Sequence, residues 1–292
     1  MSTFLLLIFF KDEAWHLSEY SLPIIDVQFI FISSNSGLPF LLIFLKICGK
    51  IVETFFRLFI FLFALMKDNY DITLAFKKAW QKKILDWYFV NKRDLPWRKK
   101  TNQNFYKIWI SEIMLQQTTV TTVIPFYKRF LKKWPSLKSF FNATLEEILY
   151  EWQGLGYYSR ARNLHFAAKQ VMQEFDGKFP NTHKDILSLK GIGDYTAAAI
   201  ASFAYDLPYA VVDGNVYRLL ARYFGIHTPI NSTEGKKTFF ELANELLDKK
   251  NPSNYNQGIM EFGSQQCKPI NPNCSICPLQ KSCVAQEEKT KP

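Results

Sequence analysis

The sequence predicts an all-α protein, and three observations support this class. Apolar residues recur at helical spacing in successive segments from Met66 onward, short turns separate those segments, and the apolar–polar alternation of β-strands is almost absent. The chain shows no internal repeat and no low-complexity linker. With 292 residues it is long enough for one large domain or two small ones around a sizeable core.

Residues 1–65 differ in composition from the rest, because runs such as FLLLIFF and RLFIFLFAL are rich in Phe, Leu and Ile. A membrane anchor needs about 20 consecutive apolar residues, and charged or polar residues interrupt each candidate. Met1–Phe10 has no positive side chain and no small-residue cleavage site follows it, which argues against a signal peptide. We therefore predict that residues 1–65 are a non-native extension and that the true start is Met66. A loose membrane-associated extension is the alternative.

The helices follow in order after this segment. Amphipathic spacing predicts a helix over Asp71–Val90, and the stretch RDLPWR, Arg93–Arg98, is typical of a turn. The next predicted helices are Asn104–Gln117 and Thr119–Trp134, the second with a bend at Pro125. The remaining predicted helices are Leu145–Gln153, Arg160–Phe175, Asp194–Tyr205, Asp213–Phe224, Glu234–Asp248 and Asn254–Gln265.

The helix Asn104–Gln117 carries an acidic residue, Glu112, in an apolar setting. One face of this helix consists of five apolar residues at helical spacing: Tyr106, Trp109, Ile110, Ile113 and Met114. The adjoining stripe that contains Glu112 is otherwise apolar too, so we expect poor hydration there, which raises a carboxyl pKa. For Glu112 alone, the simpler interpretation is a side chain whose carboxyl reaches solvent.

A second carboxyl, Asp213, stands where the N-cap of the helix Asp213–Phe224 belongs. Asp commonly caps helices, so capping alone would explain this residue. A carboxylate at the positive end of a helix also stays ionised. Glu112 and Asp213 are therefore expected in environments that shift their pKa values in opposite directions, as in an acid and anion pair.

The segment LKGIGDYTAAAIASFAY, Leu189–Tyr205, places Gly191 and Gly193 in a tight hairpin between two helices. The hairpin leaves the first backbone N–H groups of the second helix open, and such a helix end binds phosphate without reading base sequence. The alternative is an ordinary packing corner between helices.

Four of the five cysteines lie within seventeen residues, in a C-x6-C-x2-C-x5-C pattern: Cys267, Cys274, Cys277 and Cys283. This clustering favours a metal centre in a reducing compartment over a disulfide framework. We predict a [4Fe–4S] cluster with a structural role. Zinc is the alternative, although zinc ribbons usually have two C-x2-C pairs and this chain has one.

The positive charge is concentrated after the N-terminal segment. Residues 1–65 contain four basic and five acidic residues, a net charge of −1, and residues 66–292 contain 32 basic and 21 acidic ones, a net charge of +11; the total is +10. A basic folded region indicates a polyanionic partner, with nucleic acid as the first candidate.

These motifs together resemble one family. RDLPWR, WISEIMLQQT, GLGYYSRARNL, LKGIGDYTA, VVDGNV and the four-cysteine run match, in the expected order over about residues 74–285, the helix-hairpin-helix DNA glycosylases with an iron–sulfur cluster. Within them the chain resembles the MutY-type adenine DNA glycosylases. The resemblance implies a six-helix barrel at 97–206, a cluster lobe formed by 70–96 and 207–285, and a tail at 286–292.

The resemblance also implies the reaction and its residues. A MutY-type enzyme hydrolyses the N-glycosidic bond of adenine mispaired with 8-oxoguanine or guanine. Glu112 would protonate the base, Asp213 would stabilise the positive sugar, Asn215 would hold these groups, and Tyr195 would line the sugar pocket. Endonuclease III relatives carry a lysine at the position of Tyr195, so we expect a monofunctional glycosylase.

For DNA contacts, the resemblance implies Gln117 and Tyr157 as wedge residues that enter the duplex, and Gly191 and Gly193 as phosphate contacts. The expected partner is double-stranded DNA with A·8-oxoguanine or A·G mispairs, bound by a cytoplasmic, nucleoid-associated monomer. Neither a small-molecule substrate nor a membrane is expected.

One feature departs from the family pattern, because the chain ends nine residues after Cys283. Typical members continue into a domain similar to the Nudix fold that helps to read 8-oxoguanine, and we expect this chain to lack it. Three alternatives stay open: a thymine glycosylase acting on T·G, an endonuclease III-like lyase, and a catalytically weak iron–sulfur protein that only binds lesions.

Overall fold

The computed structural model describes residues 72–98 and 105–288. All of the described residues belong to one compact unit. The predicted extension 1–65 and the last part of the predicted tail 286–292 lie outside the described residues.

The described residues form helices and turns without any β-strand, which confirms the all-α prediction. Three short 3-10 helices, at Pro96–Arg98, Cys274–Ile276 and Gln280–Ser282, accompany the α-helices. The α-helices are α1 (Leu74–Asn91), α2 (Phe105–Leu115), α3 (Val120–Lys133), α4 (Leu137–Phe141), α5 (Leu145–Trp152), α6 (Ser159–Glu174), α7 (His183–Leu187), α8 (Asp194–Tyr205), α9 (Gly214–Phe224), α10 (Thr233–Leu246), α11 (Pro252–Gln265) and α12 (Val284–Glu287).

All nine helices predicted from periodicity are present, with ends that differ by up to three residues. Side-chain caps explain several of these ends: Thr119 accepts from the Thr122 backbone N–H before α3, and Ser232 accepts from that of Gly235 before α10. The sequence reading missed α4, α7 and α12, because four or five residues are too few to show a helical period. Helix α3 continues through Pro125.

Two hydrophobic cores support these helices. The first is built from α2 to α8 and includes the fully buried Trp109 and Trp152. The second is built from α1 and from α9 to α11, and includes Trp80 and Phe262. The lobe boundaries at 97–206 and at 70–96 with 207–285 stay a prediction.

Helix α8 lies between the two cores. It packs against both α2 and α11, and its alanine-rich sequence allows these helices to approach closely. Ala198, Ala199 and Phe203 of this helix form a small third cluster, against which Tyr195 and Met260 pack. A cavity opens beside this cluster, lined by Tyr195, Phe203 and Met260 among others. No helix among residues 72–98 and 105–288 is both long and apolar enough to cross a membrane.

Candidate active site

A cavity of about 830 Å³, called here the central cavity, brings residues from both cores together. It is lined by all four residues predicted as catalytic, Glu112, Tyr195, Asp213 and Asn215. Glu112 and Asp213 are about a hundred positions apart in sequence and come from α2 and from the residue before α9. The fold therefore places two carboxyl groups, a phenol and an amide on one cavity.

Glu112 is 6 % exposed, and the apolar face predicted for α2 is buried throughout. No hydrogen bond reaches its carboxyl from the residues that the structure describes. Burial raises the pKa of Glu112 to about 7, because the charged form loses its hydration; the nearby Arg98 lowers the pKa and Asp213 raises it. The carboxyl is therefore protonated in a large fraction of molecules near neutral pH.

Asp213 caps α9 with its side chain. Its Oδ1 accepts from the backbone N–H groups of Asn215 and Val216, both at 2.9 Å, and its Oδ2 accepts from the Asn215 amide at 2.8 Å. The expectation of opposite pKa shifts is wrong in direction, because burial raises the pKa of Asp213 too. These three hydrogen bonds and the nearby Arg218 lower that pKa and favour the ionised form, and Glu112 has no comparable hydrogen bonds.

Tyr195 lies near both carboxyls, at the start of α8. Burial raises its pKa well above the usual 10, and the charges of Glu112 and Asp213 raise it further. The hydroxyl therefore stays protonated and can donate a hydrogen bond into the central cavity.

Asn215 is held in turn by Arg218, one turn along α9. The Arg218 guanidinium donates to Asn215 Oδ1 at 2.8 Å, to the Gly263 carbonyl at 2.6 Å, and through Nε to the Cys267 carbonyl at 3.0 Å. A Cβ at Gly263 would lie 2.6 Å from the Asn215 carbonyl oxygen, so glycine is needed for α11 to approach α9 here. A chain of hydrogen bonds thus joins Asp213 to the cysteine-rich loop.

The cavity also contains a buried ion cluster that the sequence reading missed. Glu261 is 1 % exposed; its carboxylate accepts from Arg93 Nε at 2.6 Å, Arg93 Nη2 at 2.9 Å and Arg98 Nη2 at 2.8 Å. Gln265 donates to it as well. In the sequence only the RDLPWR turn pointed to this cluster, because its partner Glu261 lies more than 160 positions further along the chain. This cluster fixes Arg98 beside Glu112.

The residues predicted to contact DNA lie outside the central cavity. Gln117 is exposed, Tyr157 is 58 % exposed, and both have a positive φ, of 53° and 48°. Gly191, with φ +80°, and Gly193 are exposed in the turn before α8. Gly193 occupies the N-cap position without a side-chain cap, which leaves the first N–H groups of α8 available.

The four cysteines line a second cavity, of about 430 Å³, between the C-terminal loop and α9. Among the described residues, no three His, Cys, Asp or Glu side chains converge as they would around a single metal ion. Burial raises the pKa of Cys277 to about 11, and the charges of Cys267, Cys283 and Cys274 raise it further, so the four thiols are neighbours. Four thiols around one cavity are a donor set that suits an iron–sulfur cluster.

Comparison with known proteins places these features in one family. Residues 110–246 match the HhH-GPD superfamily of base excision DNA repair proteins. The solved structure of a thermostable thymine-DNA glycosylase has 32 % sequence identity and a TM-score of 0.67; the alignment covers 73 % of this chain and 97 % of that one.

Curated relatives point to one branch of that family. The adenine DNA glycosylase of Buchnera aphidicola subsp. Acyrthosiphon pisum is 42 % identical over 70 % of this chain and 59 % of its own length. That of Mus musculus is 43 % identical over 76 % of this chain and 44 % of its own length. The chain thus spans about half the length of the curated relatives it matches, and its resemblance to the MutY type is confirmed.

Proposed function

Because the chain belongs to the HhH-GPD superfamily of base excision DNA repair proteins, we propose that it is a monofunctional adenine DNA glycosylase. It would hydrolyse the N-glycosidic bond of adenine mispaired with 8-oxoguanine or guanine. The observation that carries this proposal is the central cavity, where Glu112, with a pKa raised to about 7, and a hydrogen-bonded Asp213 meet. The similarity to curated adenine DNA glycosylases supports the choice of base.

Glu112 would supply the proton. Adenine is a poor leaving group until its ring is protonated, and a carboxyl with a pKa of about 7 is well matched to proton transfer at neutral pH. Arg98, held by Glu261, opposes the effect of burial and keeps this pKa from rising further. After the bond breaks, the Glu112 carboxylate could accept a proton from the attacking water.

Asp213 would stabilise the positive charge that develops on the sugar. Its carboxylate keeps a fixed direction because both oxygens are hydrogen-bonded to Asn215. A charge that is already oriented stabilises a transition state without reorganisation. Tyr195 would line the sugar pocket, and its phenol has no amine with which to form a Schiff base and cut the strand.

DNA would be bound on the surface that presents Gln117, Tyr157, Gly191 and Gly193. The two exposed side chains would enter the duplex as wedges and help the adenine to leave the stack, which costs least at a mispair. The open N–H groups at Gly193 would contact phosphate. We propose a cytoplasmic, nucleoid-associated monomer.

The iron–sulfur cluster belongs to this proposal. Cys267, Cys274, Cys277 and Cys283 would hold a [4Fe–4S] cluster in the second cavity, and the cluster would fix the C-terminal loop. Arg222 already holds that loop, donating to the Lys268 carbonyl at 2.7 Å and lying 3.6 Å from Cys267 Sγ.

A second candidate function is thymine removal from T·G mispairs, because the thymine-DNA glycosylase structure is covered almost completely by this chain. Duplexes with A·8-oxoguanine, A·G and T·G, incubated with the protein with and without alkali, separate the possibilities. The proposal predicts adenine release from the first two, with strand breaks only after alkali. Release of thymine, or strand breaks without alkali, would contradict it.

A further inference from the structure

The two turns that carry Gln117 and Tyr157 share an uncommon backbone conformation. Both residues lie in the left-handed region of backbone conformation, which residues other than Gly, Asn and Asp rarely adopt. Gln117 follows the end of α2, and Tyr157 precedes α6 in the GLGYY segment. A strained conformation persists only where the surrounding structure determines it, so each turn needs a support.

Arg160, in the first turn of α6, supplies that support on one side. Its side chain is buried, with 7 % exposure. Its Nη1 lies within hydrogen-bonding distance of three carbonyl oxygens at the end of α2: those of Ile113 (3.0 Å), Met114 (2.7 Å) and Gln116. These carbonyls have no partner within the helix, and a cation at this end is favoured by the helix dipole.

The second terminal nitrogen of the guanidinium, Nη2, contacts the turn that carries Tyr157 as well as Thr118. Arg160 Nη2 lies 3.1 Å from Thr118 Oγ1, 3.4 Å from the Leu155 carbonyl and 3.2 Å from the Gly156 carbonyl. The guanidinium carbon is 5.3 Å from the centre of the Tyr157 ring, as in a cation–π contact. One planar group therefore contacts the residues on both sides of Gln117 and the residue before Tyr157.

We propose that Arg160 is a positioning residue that fixes the two wedge turns relative to each other, so that Gln117 and Tyr157 enter the duplex together. This inference rests on the wedge role given to them under the proposed function. The guanidinium is suited to the task because Nη1 contacts the carbonyls before Gln117, while Nη2 contacts Thr118 after it and also the Gly156 carbonyl before Tyr157. A lysine ammonium keeps the charge but is a single point that cannot bridge both.

The test uses a duplex in which 2-aminopurine replaces the target adenine opposite 8-oxoguanine, since its fluorescence rises when the base leaves the stack. The full chain is compared with Arg160→Lys and with Arg162→Lys, a matched change at an exposed arginine of the same helix. For Arg160→Lys we expect binding within a few fold of the unmodified protein, a fluorescence rise that is largely lost, and base release from A·8-oxoguanine at least tenfold slower. Arg162→Lys should behave like the unmodified protein.

Two results would overturn the inference. One is a normal fluorescence rise in Arg160→Lys; slow base release in that case would mean that Arg160 acts on Glu112 through α2. If Arg160→Lys does not fold, Thr118→Val removes one Nη2 contact at nearly constant shape, and a normal rise in that variant is the second result.

Failure of the proposed function gives a different result. If the unmodified protein raises the fluorescence but releases no adenine, the glycosylase assignment fails, and loss of that rise in Arg160→Lys would still support the role of Arg160. If the unmodified protein binds the duplex without any rise, the wedge role itself fails.

Discussion

Glu112 and Asp213 face the same cavity from two regions that are built differently. The region around Glu112 is an apolar helix in which no described residue hydrogen-bonds the carboxyl. The region around Asp213 is a polar network that runs through Asn215 and Arg218 to the cysteine-rich loop. Burial raises both pKa values, and only Asp213 has hydrogen bonds that oppose the rise. The fold can therefore assign two roles to two carboxyls by its hydrogen bonds.

The largest effect on base release is expected when the Glu112 carboxyl is replaced by an amide. Glu112→Gln keeps the shape, but its amide has no acidic proton to transfer to the base, so base release should fall by about a thousandfold while mispair binding is kept. Single-turnover assays and binding assays on A·8-oxoguanine duplexes measure the two quantities. Glu146→Gln, at an exposed position, is the control. Near-normal release by Glu112→Gln would remove its role as the acid.

The next effect is on the pH dependence of stability, which should reveal the raised pKa of Glu112. The pKa of Glu112 is about 7 in the folded chain against an ordinary 4.5, so between these values the folded state binds more protons and stability falls as the pH rises. The unmodified protein should lose about 3 kcal/mol relative to Glu112→Gln between pH 4 and pH 8. Urea unfolding of both proteins across this range provides the measurement, and parallel curves would contradict the expectation.

A smaller effect is expected at the polar region. Asp213→Asn still caps α9, but it removes the negative charge, and base release should fall by about a hundredfold with little loss of stability. Thermal unfolding together with single-turnover kinetics distinguishes this result from misfolding. A stable variant with normal kinetics would show that Asp213 only caps the helix.

The smallest effect on base release is expected at Arg218, the residue that holds Asn215. Arg218→Lys cannot hold Asn215, Gly263 and Cys267 at once, so we expect base release to slow by about tenfold while DNA binding is unchanged. Arg129→Lys, at a surface arginine paired with Glu151, serves as the matched control. Equal rates for the two variants would mean that Asn215 needs no support from Arg218.

Much of the fold could be predicted because long helices show their period in the sequence. Helix α8 was predicted with its exact ends, and the buried face of α2 residue by residue. The short helices gave no such signal. In the site, motif resemblance identified Glu112 and Asp213, and the pairing of Arg98 with Glu261 could not be predicted because it depends on tertiary packing across 163 positions.

Tertiary packing also explains why the predicted direction of the Asp213 pKa shift was wrong. A helix N-terminus and its hydrogen bonds are local and could be inferred from the sequence. The burial that outweighs them depends on the tertiary fold, which brings residues of both cores around the central cavity. For Glu112 the local and the tertiary effects act in the same direction, and the prediction of a raised pKa is confirmed.

The central claim is that the fold raises the pKa of Glu112 so far that a large fraction of the molecules has this carboxyl protonated near neutral pH. Carbon-13 NMR of protein labelled at the glutamate carboxyl carbons, with Glu112→Gln to assign the signal, measures this titration directly. We predict a midpoint at about pH 7. A midpoint at or below the ordinary value of 4.5 would contradict the account.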